Sequence, residues 1–317
     1  MASHKKLLFL MALLIMVFIV IQFIPTKQTI DISEGNGKKI VITTTIFPVY
    51  DIAKQIAGDK ASVKMILPPG VEVHSYDPSP KEVISFKKSK IFFYTSPYME
   101  TWVSKITPEI SKNTVIINGS EGVEFINGDT HGHEGAGHIG LDPHIWLDPA
   151  NMKIMADNFT EELIKIDQAN SDYYSIRLEE YKKKLDELDR EIQLSMNKFK
   201  VKTIIYGGHY AFGYFSKKYG LNHISPYKNF SPNSEPTPND IKEMIEITKS
   251  SKAKYIFYEE MLSPKIAEII ANECKVSLLM LNGAHNVSKD DLKSGITYID
   301  IMKKNLENLK KGLDLVE

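Results

Sequence analysis

The chain has 317 residues, 43% of them hydrophobic, enough to bury a large core, and at this length it forms one large domain or two medium ones. Thirty-nine basic residues against forty acidic ones leave a formal charge of -1, a balance that argues against nucleic acid or a charge-steered anionic partner. The single cysteine, Cys274, excludes an intrachain disulfide and a thiolate metal cluster, so any bound metal must be held by nitrogen and oxygen.

The N-terminus reads MASHKK followed by LLFLMALLIMVFIVIQFIP, a run of about eighteen apolar residues behind two lysines, the pattern of an export signal or a membrane anchor. No small-x-small cleavage site follows it and no cysteine stands there to accept lipid. The expectation is an uncleaved anchor over residues 1–25, with Lys5 and Lys6 on the cytoplasmic side and the body outside the cell. Residues 26–38 are polar and glycine-bearing, hence a tether.

From Lys39 onward short β-branched runs alternate with amphipathic segments: KIVITTT then FPVYDIAKQIAG, ASVKMILP then SPKEVISFKKS, KIFFYT then PYMETWVSKI, and TVII. Strand and helix in turn predict a doubly wound parallel α/β sheet. Ser79 before Pro80 and Asp148 before Pro149 are helix starts. Residues 39–168 are thus expected to form an N-terminal lobe. Between them lies GDTHGHEGAGHIG, with His131, His133 and His138, a loop that captures metal loosely or is merely solvated.

Leu178, Tyr181, Leu185, Leu188 and Ile192 step by three and four, which predicts one long helix of roughly 27 residues, about 40 Å, packed along its own protein. Assigned to residues 169–199, it would connect the first lobe to a second one over 200–317. The second lobe repeats the alternation in VKTIIYGGHYAFGYFSKKYG, PTPNDIKEMIEITKS, AKYIFYEE, SPKIAEIIANE, VSLLMLNG and a terminal helix in DLKSGITYIDIMKKNLENLKKGL. Cys274 reads as a small filler beside a strand.

Four histidines, His74, His144, His209 and His285, each end a short apolar run. Any one alone reads more readily as a hydrogen-bonded histidine, but together, at strand ends facing a cleft between lobes, they read as one converging metal site. Imidazole suits zinc, copper, iron or nickel. A zinc hydrolase with three histidines and an activated water, with Glu259 or Glu260 as base, is the reading from another class. No HExxH or GxSxG spacing accompanies it.

The segments TTTIFPVYDIAKQIAGDKASV, PPGVEVHSYDPSPKEV, DPHIWLDPANM, GGHYAFGYFSKKYGL, NSEPTPNDIKEM, SPKIAEIIANE and SGITYIDIMKKNLENLKKGL resemble, in order, the solute-binding proteins of ABC-type metal importers, in their zinc-uptake branch. The resemblance covers about residues 39 to 314. It implies two α/β lobes joined by one long backbone helix with a zinc ion held between them, and delivery to a membrane permease of an ABC importer. By the same resemblance His74, His144 and His209 match three histidine ligands, where manganese-type relatives carry a carboxylate in place of the third. Some family members are also called adhesins.

At the fourth position the chain departs from the family pattern: Asn282 stands for an aspartate and His285 where others have glutamate. His285, water or Glu259 remain as candidates for that ligand, with Glu259 first assigned a role beside a ligating imidazole. A site closed by His285 would be neutral in its ligands, leaving the metal's charge uncompensated, and affinity would fall steeply through about pH 6.5 to 5 as imidazoles protonate. A monomer tethered outside the membrane is expected.

Overall fold

The computed structural model describes residues 39–127, 140–209, 211–227, 236–260 and 264–313. The apolar N-terminal run, its tether and His131, His133 and His138 lie outside the described residues. Among the described residues no helix is long and apolar enough to cross a membrane.

The first half holds strands β1 (Ile40–Thr44), β2 (Ala61–Met65), β3 (Ile91–Tyr94) and β4 (Val115–Asn118), all parallel in the order β2-β1-β3-β4. Helices α1 (Phe47–Ala57), α2 (Pro80–Phe86) and α3 (Val103–Ile110) cross between them. The start of α2 is set locally. Ser79 accepts the Glu82 amide and the Glu82 carboxylate accepts the Ser79 amide, a capping box with Pro80 in the first turn. Because β2 and β3 lie on opposite sides of β1, the connections diverge there and open a crevice at the strands' carboxyl ends.

The second half holds β5 (Thr203–Ile205), β6 (Asn222–Ile224), β7 (Tyr255–Glu259) and β8 (Ser277–Leu281), with α6 (Gly213–Tyr219), α7 (Pro238–Ser251) and α8 (Lys265–Cys274) between them; Cys274, partly buried, closes α8. Strands β5–β6 and β7–β8 pair in parallel, and a parallel bridge from Tyr206 to Phe257 joins the two ribbons. The resulting order β6-β5-β7-β8 repeats that of the first sheet, so the protein carries two α/β lobes of one design.

Two helices lie between the sheets in sequence: α4 (Pro149–Ile166) and α5 (Ser171–Met196). The 26 residues of α5 make a rod of about 39 Å at 1.5 Å per residue. Of the expected stripe Tyr181, Leu185, Leu188 and Ile192 are buried along it and Leu178 packs half-buried against the core, while Tyr174 extends the stripe by one turn. The main hydrophobic core is continuous across both halves, taking in Phe93 and Phe159, Leu188 of α5, and Phe215 and Leu309. The long helix thus packs along its own protein.

Two elements differ from the sequence expectation. Residues 97–102, read there as the start of a helix, form turns, and α3 begins only at Val103. The cause is Glu100: its buried carboxylate accepts the amides of Thr95 and Ser96 at 3.1 and 3.0 Å and the Thr45 hydroxyl at 2.5 Å, which holds the chain back against the strand ends. The terminal helix is two helices, α9 (Lys289–Ser294) and α10 (Tyr298–Gly312). Gly295 sits at φ 77, a left-handed conformation that glycine adopts without steric cost, and Thr297 with Asp300 forms a new capping box.

Candidate metal centre

All four histidines lie beyond strand carboxyl ends and meet. His74 is in the loop after β2, its amide held at 2.7 Å by the Glu72 carboxylate. His144 follows the long connection after β4, immediately before a single 3-10 turn (Ile145–Leu147) that runs into α4. His209 follows β5, and His285 follows β8. His144, His209 and His285 are 0%, 2% and 6% exposed, so all three rings are buried.

Their geometry is that of one coordination sphere. The six separations between ring centres are 5.2 Å (His74–His144), 5.1 Å (His74–His209), 5.6 Å (His74–His285), 5.8 Å (His144–His209), 5.1 Å (His144–His285) and 5.8 Å (His209–His285). Four points with six nearly equal separations are the corners of a tetrahedron. A zinc ion about 2.0–2.1 Å from each ring nitrogen would place ring centres about 5.2 Å apart. One ring nitrogen from each histidine lies within 4.8 Å of all the others, and Nε2 of His74 and His144 stand 3.3 Å apart.

Second partners fix which nitrogen faces inward. The Nδ1 of His144 is 2.8 Å from Asp142 Oδ1, that of His209 is 2.5 Å from Glu259 Oε2, and that of His285 is 3.2 Å from Glu260 Oε1. With a metal ion at the centre each ionised carboxylate would accept the Nδ1–H of its ring, which leaves the Nε2 lone pair free to face inward. Nε2 of His209 and of His285 is buried without a hydrogen-bond partner, a costly state for a polar atom that an ion at the centre would relieve.

Burial sets the protonation states. It lowers His74 to about 2, with help from the neighbouring His285 and His209, and takes His144 well below the ordinary imidazole value. It lowers His209 to about 4 and raises Glu259 to about 9. Both members of the His209–Glu259 pair are therefore neutral near pH 7 in the metal-free protein, since desolvation penalises either charge.

The family model of the periplasmic zinc-uptake complex component A matches residues 42–312. The chain belongs to that family. Among its relatives, the high-affinity zinc uptake system protein ZnuA of Bacillus subtilis is 33% identical over 303 residues, covering 93% of this chain and 94% of that protein. The crystal structure of the metal-dependent lipoprotein YcdH from Bacillus subtilis superposes with a TM-score of 0.75 at 34% identity, over 87% of this chain and 99% of that one. The structure of Zn(II)-bound AdcA from Streptococcus pneumoniae superposes with a TM-score of 0.75 at 31% identity, over 87% of this chain and 58% of that one. This member of the zinc-uptake family thus spans little more than half of that longer protein.

The sequence placed the four imidazoles and Glu259 but missed what surrounds them. Asp142, two residues before His144, was legible only as part of a DPH motif. From sequence Glu260 reads only as a hydrolytic base, whereas its two oxygens accept the Gly283 amide at 2.7 Å and His285 Nδ1–H. Asn282 accepts the Ala284 amide at 2.7 Å, which shapes the turn that presents His285 and supports Ala284 at φ 55. Three carboxyl groups, those of Asp142, Glu259 and Glu260, stand directly behind the rings.

Glu260→Gln tests that support. A glutamine has one acceptor oxygen for two N–H donors, so one is left facing an amide donor. Metal affinity is expected to fall by about 10–100-fold while every imidazole is retained; titration of parent and variant with the same competing chelator checks it.

Proposed function

We propose that the protein captures zinc outside the cytoplasmic membrane with His74, His144, His209 and His285 and hands it to the membrane permease of an ABC importer. The near-regular tetrahedron of imidazoles carries this reading. Zinc imposes no geometry of its own but is held tetrahedrally by nitrogen donors, whereas manganese favours octahedra rich in oxygen. Membership of the zinc-uptake family, and the zinc named for the relatives above, support the same assignment. A monomer tethered by residues 1–25, with lobes over 39–168 and 200–317 joined by a helix within 169–199, is part of the proposal.

Catalysis is not part of it. In a hydrolytic site one position stays open for water and a base faces that water. Here a fourth imidazole faces the centre, and Glu259 and Glu260 lie on the Nδ1 side of the rings, away from it. Capture and release need neither an open position nor a base.

The test is a competition titration of the purified protein with zinc and manganese together. One tightly held zinc per chain, displaced by manganese only at large excess, is the expected result. Equal or tighter manganese binding would sink the zinc assignment.

A further inference from the structure

The short helix α6 follows His209 in sequence, yet its side chains reach the segment that carries His144. At its start the Tyr214 hydroxyl donates to the Asp142 carbonyl oxygen at 3.1 Å and accepts the Ile126 amide at 3.2 Å. Asp142 itself donates its amide to the Ile126 carbonyl at 2.9 Å, and Asn127 pairs with Leu141 in an antiparallel bridge. At the other end of α6, Lys218 Nζ donates to Asp148 Oδ1 at 2.6 Å, and Asp148 caps α4. Residues 142 to 148, with His144 between them, are therefore gripped at both ends by one helix from the other half of the chain.

The grip continues to the ligand. Asp142 is 1% exposed, and its Oδ1 accepts both the His144 amide at 2.9 Å and the His144 Nδ1–H at 2.8 Å. Gly213 lies against it so closely that a Cβ there would fall 2.2 Å from Asp142 Oδ2. Asp142 is thus positioned by α6 through its backbone, at Tyr214, and through its side chain, at Gly213. Contacts thus run from Gly213 and Tyr214, on the helix that follows His209 in sequence, to Asp142 and from there to His144.

From this we infer that Tyr214 is a positioning residue for the metal site: its hydroxyl seats Asp142, which in turn fixes the ring of His144 relative to His209. The inference rests on the four-histidine zinc reading. A ring held by packing alone can rotate or shift by the few tenths of an ångström that distinguish a good tetrahedral donor from a poor one, and groups that orient a ligand this way typically change affinity by about 10–100-fold. The Tyr214 hydroxyl bonds the Asp142 backbone, so its effect is transmitted through Asp142.

The experiment is a zinc titration of the full-length protein and two variants in detergent, with a parallel measurement on the metal-free forms. Tyr214→Phe removes the hydroxyl and keeps the buried ring. Tyr174→Phe is the control, since it removes another tyrosine hydroxyl, the one bonded to Asp167 at 2.6 Å on the long helix, with no connection to the metal centre. Tyr214→Phe is expected to weaken zinc about tenfold and to speed solvent exchange of the His144 Nδ1 proton in the metal-free protein, followed by NMR. Tyr174→Phe is expected to leave both unchanged.

Equal zinc affinity and equal proton exchange in parent and Tyr214→Phe would overturn the inference while leaving the zinc site intact. If the parent itself takes up no zinc, the functional reading fails first, and the proton exchange still decides whether Tyr214 orders His144. Should Tyr214→Phe not fold, Gly213→Ala decides: its methyl pushes directly on the Asp142 carboxylate, and unchanged zinc affinity there would overturn the inference equally.

Discussion

Replacing His285 by alanine is expected to weaken zinc binding by about two orders of magnitude. The size follows from dividing the roughly 10–16 kcal/mol of a four-ligand zinc site among its ligands, which leaves about 3 kcal/mol for each, and about 1.4 kcal/mol is a factor of ten. The same variant discriminates among the candidates for the fourth position. If water or Glu259 completed the sphere, removing His285 would change little, because Glu260 would keep its bond to the Gly283 amide and so hold the turn. Isothermal titration of His285→Ala against the parent at about pH 7.5, with free zinc set by a chelator of neighbouring affinity, is the measurement. A change of less than threefold would remove His285 from the ligand set.

The second large effect is in pH. Glu259, raised to about 9 by burial, is protonated near neutrality in the metal-free protein. With a dication on Nε2 of His209, the imidazole holds its proton on Nδ1 and needs a charged acceptor there. Binding therefore expels the Glu259 proton. The sign is fixed by this: below about 9 each unit of acidification costs up to tenfold in affinity, and above it the dependence levels off. His74 and His209, lowered to about 2 and about 4, are already neutral and add no step of their own above those values. The imidazole titration expected through about pH 6.5 to 5 is thus displaced downward for these two by burial.

Titration calorimetry in two buffers of different ionisation enthalpy is expected to report about one proton released per zinc near pH 7.5, and Glu259→Gln to abolish that release because an amide does not ionise. Zero protons released by the parent, with affinity flat from about pH 6 to 8, would contradict the account of this pair.

How much of this was legible in the sequence depends on the range of the interaction involved. The strand–helix alternation, the caps at Ser79 and Asp148 and the stripe on α5 are short-range patterns, and the structure bears them out. The convergence of His74, His144, His209 and His285 followed from one rule, that loops after parallel strands share one edge of the sheet. The rule places residues at an edge but says nothing of what stands behind them. Glu260 reaches His285 across 25 positions and Tyr214 reaches Ile126 across 88; no local pattern announces either pairing.

The misses at residues 97–102 and at Gly295 differ in kind. Glu100 turns the chain by bonds to strand ends 4 and 5 residues back and to Thr45, 55 residues away, so a local helical pattern was overridden by tertiary contacts. Gly295 followed by the Thr297–Asp300 box was a stop and a start signal in plain view. The apolar spacing on either side concealed it, because a helix interrupted by one short turn resumes nearly the same period.

The central claim is that four imidazoles and nothing else hold the metal. X-ray absorption at the zinc edge on the protein loaded with one equivalent reads this directly. The account predicts a single shell of four nitrogens at about 2.0–2.1 Å with the outer-ring scattering of imidazole. Three nitrogens and an oxygen, from water or from a carboxylate, would contradict it.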